Sequence, residues 1–417
     1  MTWALVMFWL PIVVLAWVYV GYPLVAAVAA RIRPFRVEPS VDGPQLVTIG
    51  IAAHNEAHVL EARLVNILEQ AVPFALEIFV ASDGSTDDTA EVVGRMAASD
   101  PRIRLLDLPR SGQTEAQNRM FEQSQGEVVV LTDAETRFGP GCLAALVAPF
   151  QDPRVGATTG RLTWLDAGGS ATARDEGAYW RYEQRIRRWE SRAGWLTAVT
   201  GAVLAVHRSS YRRIPSHASM DQVLPLEAAA RGLVVLAVAE AVATERPVAD
   251  FRAQFRNRTR TATQGIRANL SMARSVTPWR RPAAALAIWS HKLLRWATPI
   301  LLILAAIAAL VLTLSGSPAY GVAIGAGLLL VTVAGIGWIL MRSRGQMPRW
   351  ASFPFSVIVV NLAFLSAWLN VVQGRRIETW HGTTWNARSG RVMPPPSEGA
   401  GRDRSSYRSD HNTVDPN

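Results

Sequence analysis

The sequence predicts a doubly wound α/β domain bracketed by membrane-spanning helices. Between Pro44 and Arg281, apolar β-branched runs alternate with amphipathic stretches, the pattern of a parallel sheet covered by helices. On either side lie apolar runs long enough to cross a bilayer. Composition agrees: 49% of the 417 residues are hydrophobic and 18% charged, against roughly 25% charged in average soluble domains. That balance excludes disorder throughout. Cys142 is the sole cysteine, which excludes a disulfide scaffold, and no Cys/His spacing suits zinc. The net charge is +10, and Lys292 is the only lysine among 43 basic residues. Basic and apolar together indicate a membrane protein with a cytoplasmic face, a phosphate binder, or both.

The elements follow in order. Thr2–Ala30 is an apolar run ending at Arg31, Arg33 and Arg36. Ala26–Ala30 resembles a signal-peptidase site, but no positive segment precedes the run and it exceeds a signal peptide's apolar core. We expect a retained anchor over residues 1–30 whose C-terminal end is cytoplasmic. Residues 44–281 form the cytoplasmic domain. Leu46–Ala52, Glu77–Ala81, Ile103–Leu106 and Val128–Thr132 read as strands, and Ala57–Gln70 and Asp88–Ser99 as helices. Residues 282–373 hold an interfacial helix, Ser290–Trp296, and two or three membrane segments: Pro299–Leu314, Tyr320–Met341 and Phe353–Gln373. The third contains Asn361 and Asn370. If it crosses, Arg375, Arg376, Arg388 and Arg391 lie outside, against the positive-inside rule; if it is re-entrant or interfacial they lie inside. Residues 394–417 are polar and rich in Pro, Gly and Ser, the composition of a disordered tail.

Three polar clusters terminate strands: Ala53-His54-Asn55-Glu56, Ser82-Asp83-Gly84-Ser85-Thr86-Asp87-Asp88 and Thr132-Asp133-Ala134-Glu135. Ligands of open α/β sheets bind at such carboxyl ends. Each cluster alone also satisfies a simpler reading, a glycine turn followed by a helix cap. Three acidic strand ends in one sheet repel one another unless a cation or ligand lies between them. Hard oxygen donors suit Mg²⁺ or Mn²⁺, which bridge carboxylates to phosphates. Arg252, Arg256, Arg258 and Arg260 lie within two turns of an expected helix, suited to diphosphate or to anionic lipid head groups. HNEAH is not the HExxH of zinc proteases. His207 and His217 read as surface or capping residues, and Cys142 as a small core residue. Tyr179, Trp180 and Tyr182 suit either an acceptor platform or ordinary packing. Glu183 and Glu190 suit either an acceptor site or the surface.

In order and spacing, VTIGIAAHNE, IFVASDGSTDDT and RSGQTEAQNRMFEQSQGEVVVLTDAET resemble the family 2 glycosyltransferases of GT-A (Rossmann-like) fold, which include cellulose, chitin and hyaluronan synthases. The resemblance continues through YWRYEQRIRRWES, VTGAVLAVHRS, MDQVLPLEAAARG and FRNRTRTATQG and covers residues 46–267. It implies that Ala53, Asn55 and Glu56 hold the nucleoside, that Asp83 reads its uracil and ribose side, and that Asp133 and Glu135 form the DxD-type metal site. Glu135 replaces the usual Asp. Gly112, Ala116 and Asn118 match the segment before the metal site. Gln113 replaces a usual Lys, whose phosphate or sugar contact is either lost or taken by Arg110. Thr200 and Gly201 match the acceptor-side loop, with Glu183 placed there too. In Met220-Asp221, Met replaces an acidic residue and Asp221 matches the catalytic base. No QxxRW element is present; Arg256, Arg258 and Arg260 before Gln264-Gly265 resemble the arginine-rich variant and would bind diphosphate. The implied protein is an inverting, multi-pass membrane glycosyltransferase that uses a nucleotide sugar, a divalent cation (Mg²⁺ or Mn²⁺) and a glycan or polyprenyl-linked acceptor at the lipid surface. No nucleic-acid partner is expected, since no recognisable module is present. The substitutions Gln113, Glu135 and Met220 leave open a catalytically inactive membrane scaffold or nucleotide-binding module.

Overall fold

The structure is a computed structural model describing residues 1–164, 171–245, 251–273, 275–344, 347–375, 384–386 and 391–393. Eight strands form one sheet in the order β3-β2-β1-β4-β7-β6-β8-β5. These are β1 Leu46–Ala53, β2 Ala75–Asp83, β3 Ile103–Leu108, β4 Val128–Thr132, β5 Arg137–Phe138, β6 Val155–Trp164, β7 Leu204–His207 and β8 Val234–Glu245. β1 to β4 are mutually parallel, and their central members are buried almost without interruption because helices cover both faces. The other half departs from the expected parallel sheet. β7 runs antiparallel to β4 and β6, and β5 antiparallel to β8.

Register decides where the motifs meet. Ala53 pairs with Ser82, Asp83 with Leu108, and Ile51 with Thr132. The three polar clusters therefore leave the same edge of the sheet. Strand order reverses between β1 and β4, and that crevice is the topological switch point where such sheets bind ligands.

Among the described residues, three helices are long and apolar enough to cross a membrane: Thr2–Ile32, Pro318–Ser343 and Arg349–Val372. Pro282–Trp296 and Thr298–Leu314 qualify only as a pair, bent by 60°. The last helix also packs against the sheet-bearing part. Phe364, Ala367, Trp368 and Val371 share a core with Ile266 and Met272 of the helix Phe251–Met272. Arg267 Nη2 donates to the Asn370 carbonyl at 3.2 Å.

In Ser290–Trp296, read from the sequence as an interfacial helix, the basic side chains point into the protein. His291 and Arg295 are buried, and with Lys292 they turn inward onto Glu183. Arg187 Nε adds a further contact to the same carboxylate, so these polar side chains find partners inside the protein. Separately, Thr384–Asn386 pairs antiparallel with Arg391–Met393. The tail from Pro394 lies outside the described residues.

Candidate functional site

The first cluster works largely as a frame. Asn55 adopts φ 58°, a left-handed conformation that Asn tolerates better than most residues. Its Oδ1 accepts from the Thr86 N–H at 2.8 Å, which ties the loop after β1 to the loop after β2. Asp87 accepts from the Thr89 N–H at 3.1 Å and the Ala57 N–H at 3.3 Å, serving the starts of two helices. Asp87 thus ties the starts of both helices together, while the N-cap position of the helix that begins at Thr89 is Asp88, whose side chain makes no capping bond. Gly84 has φ +61°, and a Cβ there would lie 2.7 Å from the Arg110 backbone N, so only glycine fits. Ala53 is buried in the core.

Asp83 is not open to a base in this conformation. It is fully buried, and its carboxylate accepts from the Ser111 N–H at 2.6 Å, the Gly112 N–H at 3.0 Å and Arg110 Nη1 at 2.7 Å. It organises the loop that leads into the helix Gln113–Gln123. Arg110 reaches Asp83 through Nη1, and its side chain stays partly exposed beside the loop. Asn118 likewise binds chain, donating to the Ile214 carbonyl at 2.7 Å and accepting from the Ile214 N–H at 3.1 Å.

Beyond the ends of β4 and β8 lies a cavity of about 230 Å³. Asp133, Asp221, Arg260, Thr200, Gly201 and Glu245 line it. Asp221 sits in the first turn of the helix Met220–Ala230, whose N-cap position is Ser219. It therefore does not cap the helix itself. Its Oδ1 accepts from Ser219 Oγ, and its Oδ2 from Gln222 Nε2 at 3.3 Å. Gly201 lies against it, and a Cβ there would meet Asp221 Cβ at 3.1 Å and Oδ2 at 3.2 Å. Gln113 Nε2 reaches Asp133 Oδ1 at 3.4 Å, so the Lys-to-Gln change keeps a donor at the strand end. Met220 is buried in the core, which explains an apolar residue in that position.

Of the three arginines, Arg260 alone lines the cavity, one helical turn beyond Arg256. Arg260 faces Asp133 and Asp221, and its burial lowers its pKa against their pull. Arg258 is half-buried and Arg256 exposed, and neither lines the cavity. Glu183 is not in the cavity either, being enclosed by cations beside it.

Two contributors escaped sequence reading. Glu245 ends β8 and accepts from Thr136 Oγ1 at 2.5 Å. Its signal in the sequence is an acidic residue closing the valine-rich run Val234–Glu245. Arg63 is fully buried beneath the strand ends, donating to Thr132 Oγ1 at 2.8 Å and stacking 4.1 Å over the Phe138 ring. Nothing in an amphipathic helix pattern marks such an inward arginine.

Carboxylates dominate the electrostatics. Burial and its neighbours Glu135 and Asp133 push Glu56 up to about 8. Burial, with Asp133 as the main charged neighbour, pushes Glu245 up to about 7. Burial and Asp221 raise Asp133 to about 6. Glu56 Oε2 is buried without a hydrogen-bond partner. This donor set fits a hard cation. Among the described residues, however, no three His, Cys, Asp or Glu side chains converge closely enough to hold an ion alone. Asp133 and the exposed Glu135 would share it with phosphate oxygens and water, an arrangement that Mg²⁺ and Mn²⁺ favour.

A pH prediction follows. Glu56 binds its proton more tightly when folded than when unfolded, so its contribution to stability is full below pH 4.5 and is lost as pH rises through about 8. Glu245 acts with the same sign over a narrower window. Without divalent cation, Tm should fall between pH 5 and pH 8, and Mn²⁺ should recover part of the loss. A Tm that climbs with pH in the cation-free protein would contradict the electrostatics described here.

A half-parallel sheet with an acidic switch point and a carboxylate–arginine cavity beyond it defines a glycosyltransferase of GT-A fold. The Glycosyl transferase family 2 model matches residues 48–214. An N-acetylglucosaminyltransferase of Rhizobium meliloti (strain 1021) is 30% identical over 191 residues, 45% of this chain and 43% of that protein. One of Bradyrhizobium elkanii is 32% identical over 138 residues, 31% of this chain and 73% of the relative. The chain belongs to glycosyltransferase family 2. It spans less than half of the Rhizobium meliloti relative. Among solved structures, a mannosyltransferase from Pyrobaculum calidifontis in complex with GDP-Man and Mn²⁺ aligns over 89% of this chain and 100% of its own, with TM-score 0.65 and 22% identity, which establishes the shared fold.

Proposed function

We propose that this glycosyltransferase is a membrane-anchored inverting enzyme that transfers a sugar from a nucleotide sugar to a glycan or polyprenyl-linked acceptor in exopolysaccharide or envelope glycan assembly. UDP is the proposed nucleotide, and N-acetylglucosamine, named in the curated relatives, is the first sugar to test. The observation that carries the reading is the cavity in which Asp221, Arg260 and Asp133 face one another beside Gly201.

Each residue has a part in the proposal. Asp221 removes the acceptor hydroxyl's proton as that oxygen attacks the anomeric carbon. Arg260 is a fixed cation aimed at the leaving diphosphate. Asp133 and Glu135 would hold a divalent cation. When bound, that ion supplies Lewis-acid stabilisation of the leaving phosphate oxygens. Glu56 lies at the edge of the nucleoside crevice, with Asp83 and Arg110 shaping the loop that borders it. Thr200 and Gly201 line the acceptor side. The helix Phe251–Met272 forms a wall of the cavity and packs against a candidate span, which supports an acceptor delivered from the lipid surface. The arginine-rich ends of the apolar segments support a cytoplasmic catalytic domain.

A donor screen tests the reading. The full chain in lipid vesicles with Mn²⁺ or Mg²⁺ should release nucleotide from a UDP-sugar and not from GDP- or dTDP-sugars. Release from GDP-mannose alone would replace the donor; release from none would sink the proposal.

A further inference from the structure

Outside the cavity, a buried charge cluster joins the helix Ala171–Arg192 to the segment Ile288–Trp296. Glu183 Oε1 accepts from Arg187 Nε and Lys292 Nζ, each at 3.1 Å. Its Oε2 accepts from Arg295 Nη1 at 2.6 Å and lies 3.0 Å from His291 Nε2. His291 Nδ1 lies 2.6 Å from Glu190 Oε1, which also accepts from the Tyr22 hydroxyl of the N-terminal apolar helix. Glu183, Glu190, Arg187, His291 and Arg295 are all buried. Burying this many charges is expensive unless their geometry serves a purpose or is fully compensated.

One arm of the cluster leaves it. While Arg187 Nε holds Glu183, Arg187 Nη1 donates to Thr200 Oγ1 at 3.0 Å. The Thr200 N–H in turn donates to Thr159 Oγ1 at 3.0 Å on β6, so the residue is held from both sides. The next residue, Gly201, is the one against which Asp221 packs. A planar guanidinium grips two partners in fixed relative geometry; an ammonium does not.

We propose that Arg187 is a positioning residue that, anchored by Glu183, sets the Thr200–Gly201 loop against Asp221 and so couples the membrane-proximal segment Ile288–Trp296 to the geometry of the proposed base. The inference rests on Asp221 acting in transfer. Its chemical consequence is separable from folding. A shifted loop misplaces acceptor and base relative to each other, and small misplacements are costly to a proton-coupled attack. The donor's nucleotide side, held at β1 and β4, is untouched.

The test uses the full chain in lipid vesicles with the UDP-sugar selected by the donor screen. Arg187→Lys keeps the charge beside Glu183 but loses the second grip. Thr200→Val removes the hydroxyl at the far end of the same contact without disturbing the cluster. Each should lower kcat about 10–100-fold, leave UDP-sugar affinity within about twofold, and leave Tm nearly unchanged for Thr200→Val. The double variant should be no slower than the slower single, because both remove one interaction. Wild-type kcat in Thr200→Val, or losses that multiply in the double variant, would overturn the positioning role while wild-type turnover kept the functional reading intact. A wild-type protein without turnover on any donor would remove both.

Discussion

Asp221→Asn is expected to cut sugar transfer by roughly 10²–10⁴-fold while leaving donor binding almost unchanged. The substitution is nearly isosteric and keeps an acceptor for Ser219 Oγ, but an amide does not take up a proton near neutral pH. The fold should tolerate it. Asp221 lies in the first turn of its helix and Ser219 holds the N-cap position, so losing the charge forfeits a helix-dipole interaction of about 0.3–1 kcal/mol and its attraction to Arg260. Removing a negative charge also relieves its repulsion of Asp133. Stability and activity should therefore separate. Donor titration, thermal unfolding and nucleotide release on one preparation read all three. An Asp221→Asn protein that binds donor and transfers at near-wild-type rate would end the base assignment. Glu245, the other carboxylate of the cavity outside the proposed cation pair, would then be the next candidate.

Asp133→Asn should have the opposite signature on binding. Asp133 is raised to about 6 because burial and Asp221 both disfavour its charge. Neutralising it should make the cation-free protein slightly more stable at neutral pH. The same change removes a proposed cation ligand. Loss of a residue that merely orients a ligand costs roughly 10–100-fold in metal affinity or activity, so losing the ligand itself should cost at least about that much. Donor affinity and turnover should fall together, and raising Mn²⁺ should recover part of both. Glu135→Asp, which restores the more usual acidic pair, should be milder. Full activity of Asp133→Asn at low Mn²⁺ would remove Asp133 from the cation site.

Strand-end chemistry was legible in the sequence because it is local. VTIGIAAHNE, IFVASDGS and VVVLTDAE each pair a buried run with the polar residues that must follow it, and parallel register brings such ends to one edge. The apolar segments were equally legible, since length and composition alone define them. What each polar residue touches was not. Asp83 and Asp133 occupy equivalent strand ends, yet backbone amides and Arg110 surround the first, while the second faces a cavity. Arg256, Arg258 and Arg260 are one pattern in sequence; of the three only Arg260, a turn beyond Arg256 and near the close packing of Trp296 on Gly265, where a Cβ would lie 2.5 Å away, reaches the cavity. Glu183 suited a surface or an acceptor site until His291, Lys292 and Arg295, more than a hundred residues later, closed around it. By itself the sequence determined the family, strands one to four and the apolar segments long enough to cross a membrane, which depend on short-range patterns of apolar and polar residues. Tertiary structure decided which charges share a cavity and which neutralise one another, because Coulomb energies and desolvation depend on distances between segments that no local pattern encodes.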